Sequence, residues 1–269
     1  MKLILGDCLD EMRKLPAKSV DCFMCDLPYR CLTGGAGKEK AMRKAKGSED
    51  QIAGCSWDIK LDLEKFWEQV KRLAKNDHTP VLMFCNARFG FELYNSNPSW
   101  FRYDIVWSKP TGVGFLSANK QPLRSHELIY VFSKKGAYYK RVDIEVEGAR
   151  EWKQFGKSKS AESCYNLTRK NVVIQPIGTT TSKEGIRCVK SVVEIANKKG
   201  KGKHPTQKPA ELYEWLLKRY CPAEGTMLDP TAGSFTSVFV ADKMGLDAIG
   251  IEKNEAFYNK ANEVGEVSE

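Results

Sequence analysis

Seven short apolar runs, most of them stopped by a carboxylate or an amide, limit the folds open to this 269-residue chain. Leu3-Ile4-Leu5 halts at Gly6-Asp7, Val20 to Cys25 at Asp26, Val81 to Phe84 at Asn86, Met227-Leu228 at Asp229, and Ala248 to Ile251 at Glu252. The runs at 102–107 and 127–132 follow the same pattern. Apolar stretches this short and this continuous read as strands covered on both faces. Helical periodicity lies between several of them, most clearly in Leu63, Phe66, Trp67, Val70 and Leu73, again in Leu212, Trp215, Leu216 and Leu217, and over 236–244. Strands alternating with helices predict an α/β fold, a mostly parallel sheet with helices on both faces. Such sheets bind ligands at the carboxyl ends of their strands. Asp7, Asp26, Asp229 and Glu252 all fall there. Asp7 is equally well suited to cap the helix after it.

Asp26-Leu27-Pro28-Tyr29 is the most chemically specific of these strand ends. Pro28 forbids further ladder pairing, so a carboxylate, a main-chain carbonyl and an aromatic ring emerge together. An exocyclic amine on a nucleobase is a weak nucleophile, its lone pair delocalised into the ring, and acceptors on its N–H groups localise that pair. Asp26 and the Leu27 carbonyl are such acceptors, and Tyr29 can stack on the base for roughly 1–3 kcal/mol. An ordinary acidic turn after a strand would read the same way.

Downstream, the strand at 226–229 leads through Asp229-Pro230-Thr231-Ala232-Gly233-Ser234 into a helix, and the strand at 247–251 ends on Glu252. A strand, a turn of small residues, a helix and an acidic strand tip about 20 residues on form a nucleoside-binding βαβ unit, with the carboxylate set for ribose hydroxyls. The dinucleotide G-x-G-x-x-G is absent, which favours a nucleoside without phosphates. A plain βαβ connection is the alternative.

The net charge of +9 points to a polyanionic partner. Residues 136–203 hold 15 Lys and Arg against 7 Asp and Glu, nearly the whole excess, with Trp152, Phe155 and Tyr165 interleaved. That mixture suits phosphates and bases together, or a solvated subdomain. Residues 32–54 read as a second basic loop, rich in glycine and lysine. The nine cysteines fit reduced thiols, and Cys22 and Cys25 face opposite sides of one strand, so no metal site is expected. No apolar run nears the roughly 20 residues of a membrane span, and Asp7 comes too early for a signal peptide. A cytoplasmic protein is expected.

Together, Asp26-Leu27-Pro28-Tyr29, His204-Pro205-Thr206-Gln207-Lys208-Pro209 and Asp229-Pro230-Thr231-Ala232-Gly233-Ser234, in that order, resemble the β group of DNA amino-methyltransferases. The resemblance covers most of residues 1–135 and 203–269. It implies a Rossmann-like methyltransferase fold with a seven-stranded sheet, S-adenosylmethionine as cofactor, and double-stranded DNA as substrate, contacted through 32–54 and 136–202. It also implies three segments: a catalytic part over 1–135, an inserted target-recognition region over 136–202, and a cofactor-binding part over 203–269.

Carried over residue by residue, Asp26, Leu27, Pro28 and Tyr29 form the catalytic motif. Asp229, Thr231, Gly233 and Ser234 line the methionine end of the cofactor, Glu252 takes the ribose hydroxyls, Asp7 lies near the adenine amine, and Thr206 and Lys208 cap the pocket. Leu27 replaces the usual first proline, at a place where the backbone carbonyl does the work. Phe235 stands where the family usually has a second glycine, so the cofactor turn has to accommodate a side chain. Asp at position 26 is the family's usual adenine N6 pattern, shared by some cytosine N4 enzymes. RNA, a protein glutamine amide, or a non-catalytic DNA-binding role on the same scaffold are the other readings, and a dimer is one assembly open to the chain. Cytosine C5 chemistry is disfavoured because it needs a nucleophilic cysteine, usually in a Pro-Cys pair that this sequence lacks.

Overall fold

The computed structural model describes residues 1–29, 61–145, 186–197 and 207–266. Two compact units are formed, Met1–Lys140 with Ser191–Glu269, and Arg141–Lys190. The first carries strands β1 (Lys2–Leu5), β2 (Cys22–Cys25), β3 (Val81–Cys85), β4 (Phe101–Val113) and β5 (Arg124–Phe132), with helices α1 (Cys8–Lys14), α2 (Leu63–Leu73) and α3 (Ala87–Ser96) between them. Of the second unit, the described residues form a two-stranded antiparallel ladder, β6 (Ile144–Glu145) with β7 (Ile186–Arg187). The first unit then resumes with β8 (Val192–Glu194), α4 (Ala210–Tyr220), β9 (Thr226–Asp229), α5 (Thr236–Lys243), β10 (Asp247–Glu252) and α6 (Glu255–Glu266).

One eight-stranded sheet runs in the order β1-β10-β9-β2-β3-β5-β4-β8. Five of its pairings are parallel; β5 is antiparallel to both neighbours. The exception follows from chain length, because β4 and β5 are joined too closely for a crossover and must form a hairpin. The expected α/β sheet is therefore present, with one strand more than seven. The addition is β8, whose residues lie in the stretch assigned from sequence to the inserted region; Val192 to Glu194 pair in parallel with Val106 to Ser108.

Strict alternation divides the core. Cys22 and Met24 of β2 pack on one face with Leu82, Phe84 and the inner sides of α4 and α5, while Phe23 and Cys25 pack on the other with Val81, Met83 and the buried stripe of α2. Every residue of β2 and β3 is fully buried, which is why both runs are apolar without a polar alternate. The two thiols, Cys22 and Cys25, do lie on opposite faces. Burial, the largest cause for Cys25, pushes its thiol well above the usual range; Cys22 rises too, through its contact with Cys221 and its burial. Asp62 starts α2 by accepting from the amides of Glu64 and Lys65. Helices α3 and α6 go beyond the sequence-based expectation; Asn86 nucleates α3 through the Phe89 amide at 2.9 Å.

Among the described residues no helix is long and apolar enough to cross a membrane, and no group of three or more His, Cys, Asp or Glu could hold a metal ion. The basic loop 32–54, Trp152, Phe155, Tyr165 and Thr206 lie outside the described residues.

Candidate active site

The chain leaves β2 towards β3 on one side of the sheet and leaves β9 towards β10 on the other, so the topology reverses between β2 and β9. That reversal opens a crevice at the strands' carboxyl ends. The two strands are adjacent and parallel, with Cys22 opposite Met227 and Phe23 opposite Leu228. Neighbouring strands lie about 4.8 Å apart. The turn after β2, carrying Asp26 to Tyr29, and the turn after β9, carrying Asp229 to Ser234, thus leave the same edge side by side. Along that edge the strand order sets Asp7, Glu252, Asp229, Asp26, Glu127 and Lys109 in sequence.

Asp26 is held from both sides. Its Oδ1 accepts from the Tyr29 hydroxyl at 2.6 Å and its Oδ2 from the Lys208 ammonium at 2.5 Å. Tyr29 is stacked on Phe89, with centroids 5.1 Å apart and planes inclined by 28°. Burial first, then the Asp26 charge, push the Tyr29 phenol well above its usual range, so it stays a hydrogen-bond donor. The Leu27 side chain is 2 % exposed and belongs to the core, so position 27 offers the site its main chain only.

Lys208, expected with Thr206 to cap the cofactor pocket, directs its ammonium to the Asp26 carboxylate. It is 6 % exposed. Burial alone would lower its pKa, but Asp26 and Glu127 together outweigh that and the net shift is upward. Glu127 Oε2 stands 3.6 Å from the Lys208 ammonium, and Glu127 Oε1 accepts from Lys109, whose ammonium lies 4.2 Å above the Trp107 ring. Burial would raise the Glu127 carboxyl, yet Lys208 and Lys109 hold it below the usual range. Two carboxylates and two ammoniums therefore form one neutral cluster.

The turn after β9 is built from within. Asp229, 2 % exposed, accepts from the Thr231 amide at 3.0 Å and from the Ser237 hydroxyl. Burial raises it to about 7, although both hydrogen bonds pull it down. Its carboxylate shapes the turn that the resemblance sets at the methionine end of the cofactor. Gly233 has φ of 53°, and a Cβ there would meet nothing within 4 Å among the described residues. The Gly233 amide donates to Glu252 Oε2 at 2.9 Å and the Asn254 amide to Glu252 Oε1 at 2.8 Å. Among the described residues, Thr231 Oγ1 is buried without a hydrogen-bond partner. Ser234 and Thr236 hydroxyls are 2.9 Å apart, and the Gln207 amide nitrogen donates to Thr236 at 2.7 Å.

Phe235 does not intrude on this turn. It opens α5 in the left-handed region, φ 56° and ψ 19°, and its fully buried ring lies against Gly250 and, edge-on at 6.3 Å, Tyr258. At the far end Asp7 caps α1, accepting from the Leu9 amide at 2.9 Å, while Gly6 donates to the Glu252 carbonyl at 3.0 Å.

Sequence reasoning missed Glu127, Lys109, Phe89 and Gln207. A charge opening the apolar run Leu128 to Phe132 and a lysine just after Trp107 were the available signals; only the β4–β5 register, with Trp107 opposite Glu127, joins them. The same hairpin carries Lys109, Lys120, Arg124 and His126 without an acidic residue from 109 to 126, and its tip exposes Phe115 and Leu116.

A switch point that brings a D-L-P-Y turn beside a small-residue nucleoside turn defines a class, the methyltransferases of exocyclic amines. A profile described as DNA methylase matches residues 20–263, and the chain belongs to that family, in its β group. It is an S-adenosylmethionine-dependent DNA amino-methyltransferase of the adenine N6 or cytosine N4 type. Among similar proteins, the Type II methyltransferase M.HinfI of Haemophilus influenzae is 25% identical over 96% of this chain and 66% of its own length. The Type II methyltransferase M.SmaI of Serratia marcescens is 24% identical over 97% and 89%. The chain thus spans about two thirds of the first relative and most of the second. In fold it is similar to M1.HpyAVI solved with its S-adenosylmethionine, TM-score 0.57 at 17% identity, covering 98% of each chain. It is similar also to the PvuII cytosine-N4-specific DNA methyltransferase, TM-score 0.61 at 13% identity, covering 97% of this chain and 84% of that one.

Proposed function

We propose that this chain methylates the N6 amine of adenine in double-stranded DNA. The adjacency of the two turns after β2 and β9 supports the reading, because an amine held at one and a methyl donor held at the other would share a single crevice. Asp at position 26 favours adenine. Asp26 and the Leu27 carbonyl accept from the amine and draw its lone pair out of the ring, and Tyr29 stacks on the base. The base leaves the duplex stack to get there, which costs a few kcal/mol. Asp26 then balances the positive charge that grows on nitrogen.

The residues fit the cofactor. The Thr231 hydroxyl and the Gly233 side of the turn, neither met by another group among the described residues, suit a ligand rich in donors and acceptors. Thr231, Gly233 and Ser234 hold its methionine end, with Asp229 keeping their turn in shape; Glu252 has lone pairs left for the ribose hydroxyls, Asp7 serves the adenine amine, and Thr206 covers the pocket. When bound, S-adenosylmethionine supplies a sulfonium-activated methyl group. Alignment of donor and acceptor is then the main task of the protein. Residues 32–54 and 136–202 contact the duplex, with Lys120 and Arg124 of the β4–β5 hairpin adding phosphate contacts.

Labelled cofactor and mixed-sequence duplex DNA, followed by nucleoside analysis, test this reading. N6-methyladenine is the expected product. N4-methylcytosine alone, or no methylated nucleoside in any duplex, overturns the adenine assignment. Asp26→Ala is expected to abolish transfer while S-adenosylmethionine still binds; near-native turnover in that variant would remove Asp26 from the mechanism.

A further inference from the structure

An amine arriving at Asp26 finds the carboxylate already engaged by a cation. The Lys208 ammonium, 2.5 Å from Oδ2, neutralises the charge that the reaction needs and would repel the positive charge developing on the amine nitrogen. Lys208 cannot withdraw into water, since it is 6 % exposed and cradled by the Phe84 and Tyr29 rings at 5.1 and 5.9 Å. A second carboxylate oxygen is within reach. Glu127 Oε2 is buried, makes no hydrogen bond among the described residues, and lies 3.6 Å from the same ammonium. A movement of about 0.8 Å would bring that pair to the ~2.8 Å of a charge-assisted hydrogen bond. Glu127 itself is a fixed receiver, because its other oxygen is held by Lys109, and Lys109 by the Trp107 face.

We propose that Lys208 is a movable counter-charge, resting on Asp26 while the crevice holds no base and passing to Glu127 as the base amine takes its place, which makes Glu127 a positioning residue for methyl transfer. The inference deepens the proposed function and rests on Asp26 as the acceptor of the amine. It accounts for two facts the transfer reaction alone leaves unexplained, a buried carboxylate oxygen with no hydrogen bond among the described residues and a buried lysine on the reactive carboxylate. Charge is conserved throughout. Two carboxylates face two ammoniums at rest, and the growing charge on nitrogen meets an Asp26 that Lys208 has released.

The test is a double-mutant cycle in single-turnover methylation, with Glu127→Gln, Lys208→Met and the pair. Glu127→Gln removes the receiver's charge at constant shape. It is expected to slow transfer about 10²-fold, the scale of a 1 Å misplacement at a reacting centre, in the single-turnover rate constant with the dissociation constants for DNA and cofactor unchanged. In the Lys208→Met background the same change should slow transfer less than about threefold, because there is no ammonium left to receive. Equal slowing in both backgrounds would overturn the proposal, as would wild-type rates in Glu127→Gln. Should Glu127→Gln fail to bind cofactor or fold, Glu127→Asp, which keeps the charge and draws it back by one methylene, must show the same dependence on Lys208 or the proposal falls. Wild-type product identity is scored first. N4-methylcytosine sinks the adenine assignment and leaves this inference standing, since both bases present an amine.

Discussion

Gly250→Ala, made alone and with Phe235→Ala, probes how the turn after β9 stays clear of side chains. A Cβ at Gly250 would come 2.6 Å from Val238 Cγ2, 2.8 Å from Phe235 Cδ1 and 2.9 Å from Phe235 Cε1, distances that force a shift. Overpacking of this kind costs about 1–3 kcal/mol. Phe235 holds a left-handed backbone, which costs an L residue about 1–2 kcal/mol, yet truncating a fully buried phenylalanine costs about 3–5 kcal/mol. Burial of the ring therefore wins, and the strained backbone is kept. Phe235→Ala should destabilise by about 3–5 kcal/mol, and Phe235→Gly by about 1 kcal/mol less because glycine accepts φ of 56° freely. With the ring gone, two of the three close contacts at Gly250 vanish and the Val238 contact remains. The double variant should accordingly be about 1 kcal/mol more stable than the sum of the single losses. Urea unfolding at constant m reads each value. Strict additivity, or a Phe235→Ala loss under about 1 kcal/mol, would refute the inward seat of the ring.

Two further predictions concern the acidic strand ends. Asp229 is raised to about 7 by burial, while the unfolded carboxyl titrates near ~3.9, so the native state binds the extra proton between those values. Its contribution is fully present below about pH 4 and is lost as pH rises through about 7, by an order of magnitude of ~4 kcal/mol. Asp229→Asn should remove this slope, so that wild-type stability relative to the variant declines from pH 5 to 8; parallel curves would contradict it. Asp7→Ser keeps an N-cap for α1, where alanine would cost about 1 kcal/mol, but removes the carboxylate. Thermal stability should hold while calorimetric affinity for S-adenosylmethionine falls about tenfold, the worth of one hydrogen bond; unchanged affinity would leave Asp7 a cap alone.

Local pattern was sufficient for much of this protein. The strands β2 and β3 are legible because both their faces are buried, leaving a continuous apolar run, and α2 because one stripe of it is. The strand tips Asp7, Asp26, Asp229 and Glu252 follow from where those runs stop, and the order of three motifs was enough to indicate the family. Tertiary structure decided what distance along the chain conceals. Lys208 meets Asp26 across 182 positions, β8 joins the sheet only because β4 offers it an edge, and the Phe235 ring turns inward because Gly250, on another strand, leaves it room. Periodicity reports which face of an element is apolar; the partner that face or charge will meet is set by strand order and register, and these are properties of the assembled sheet.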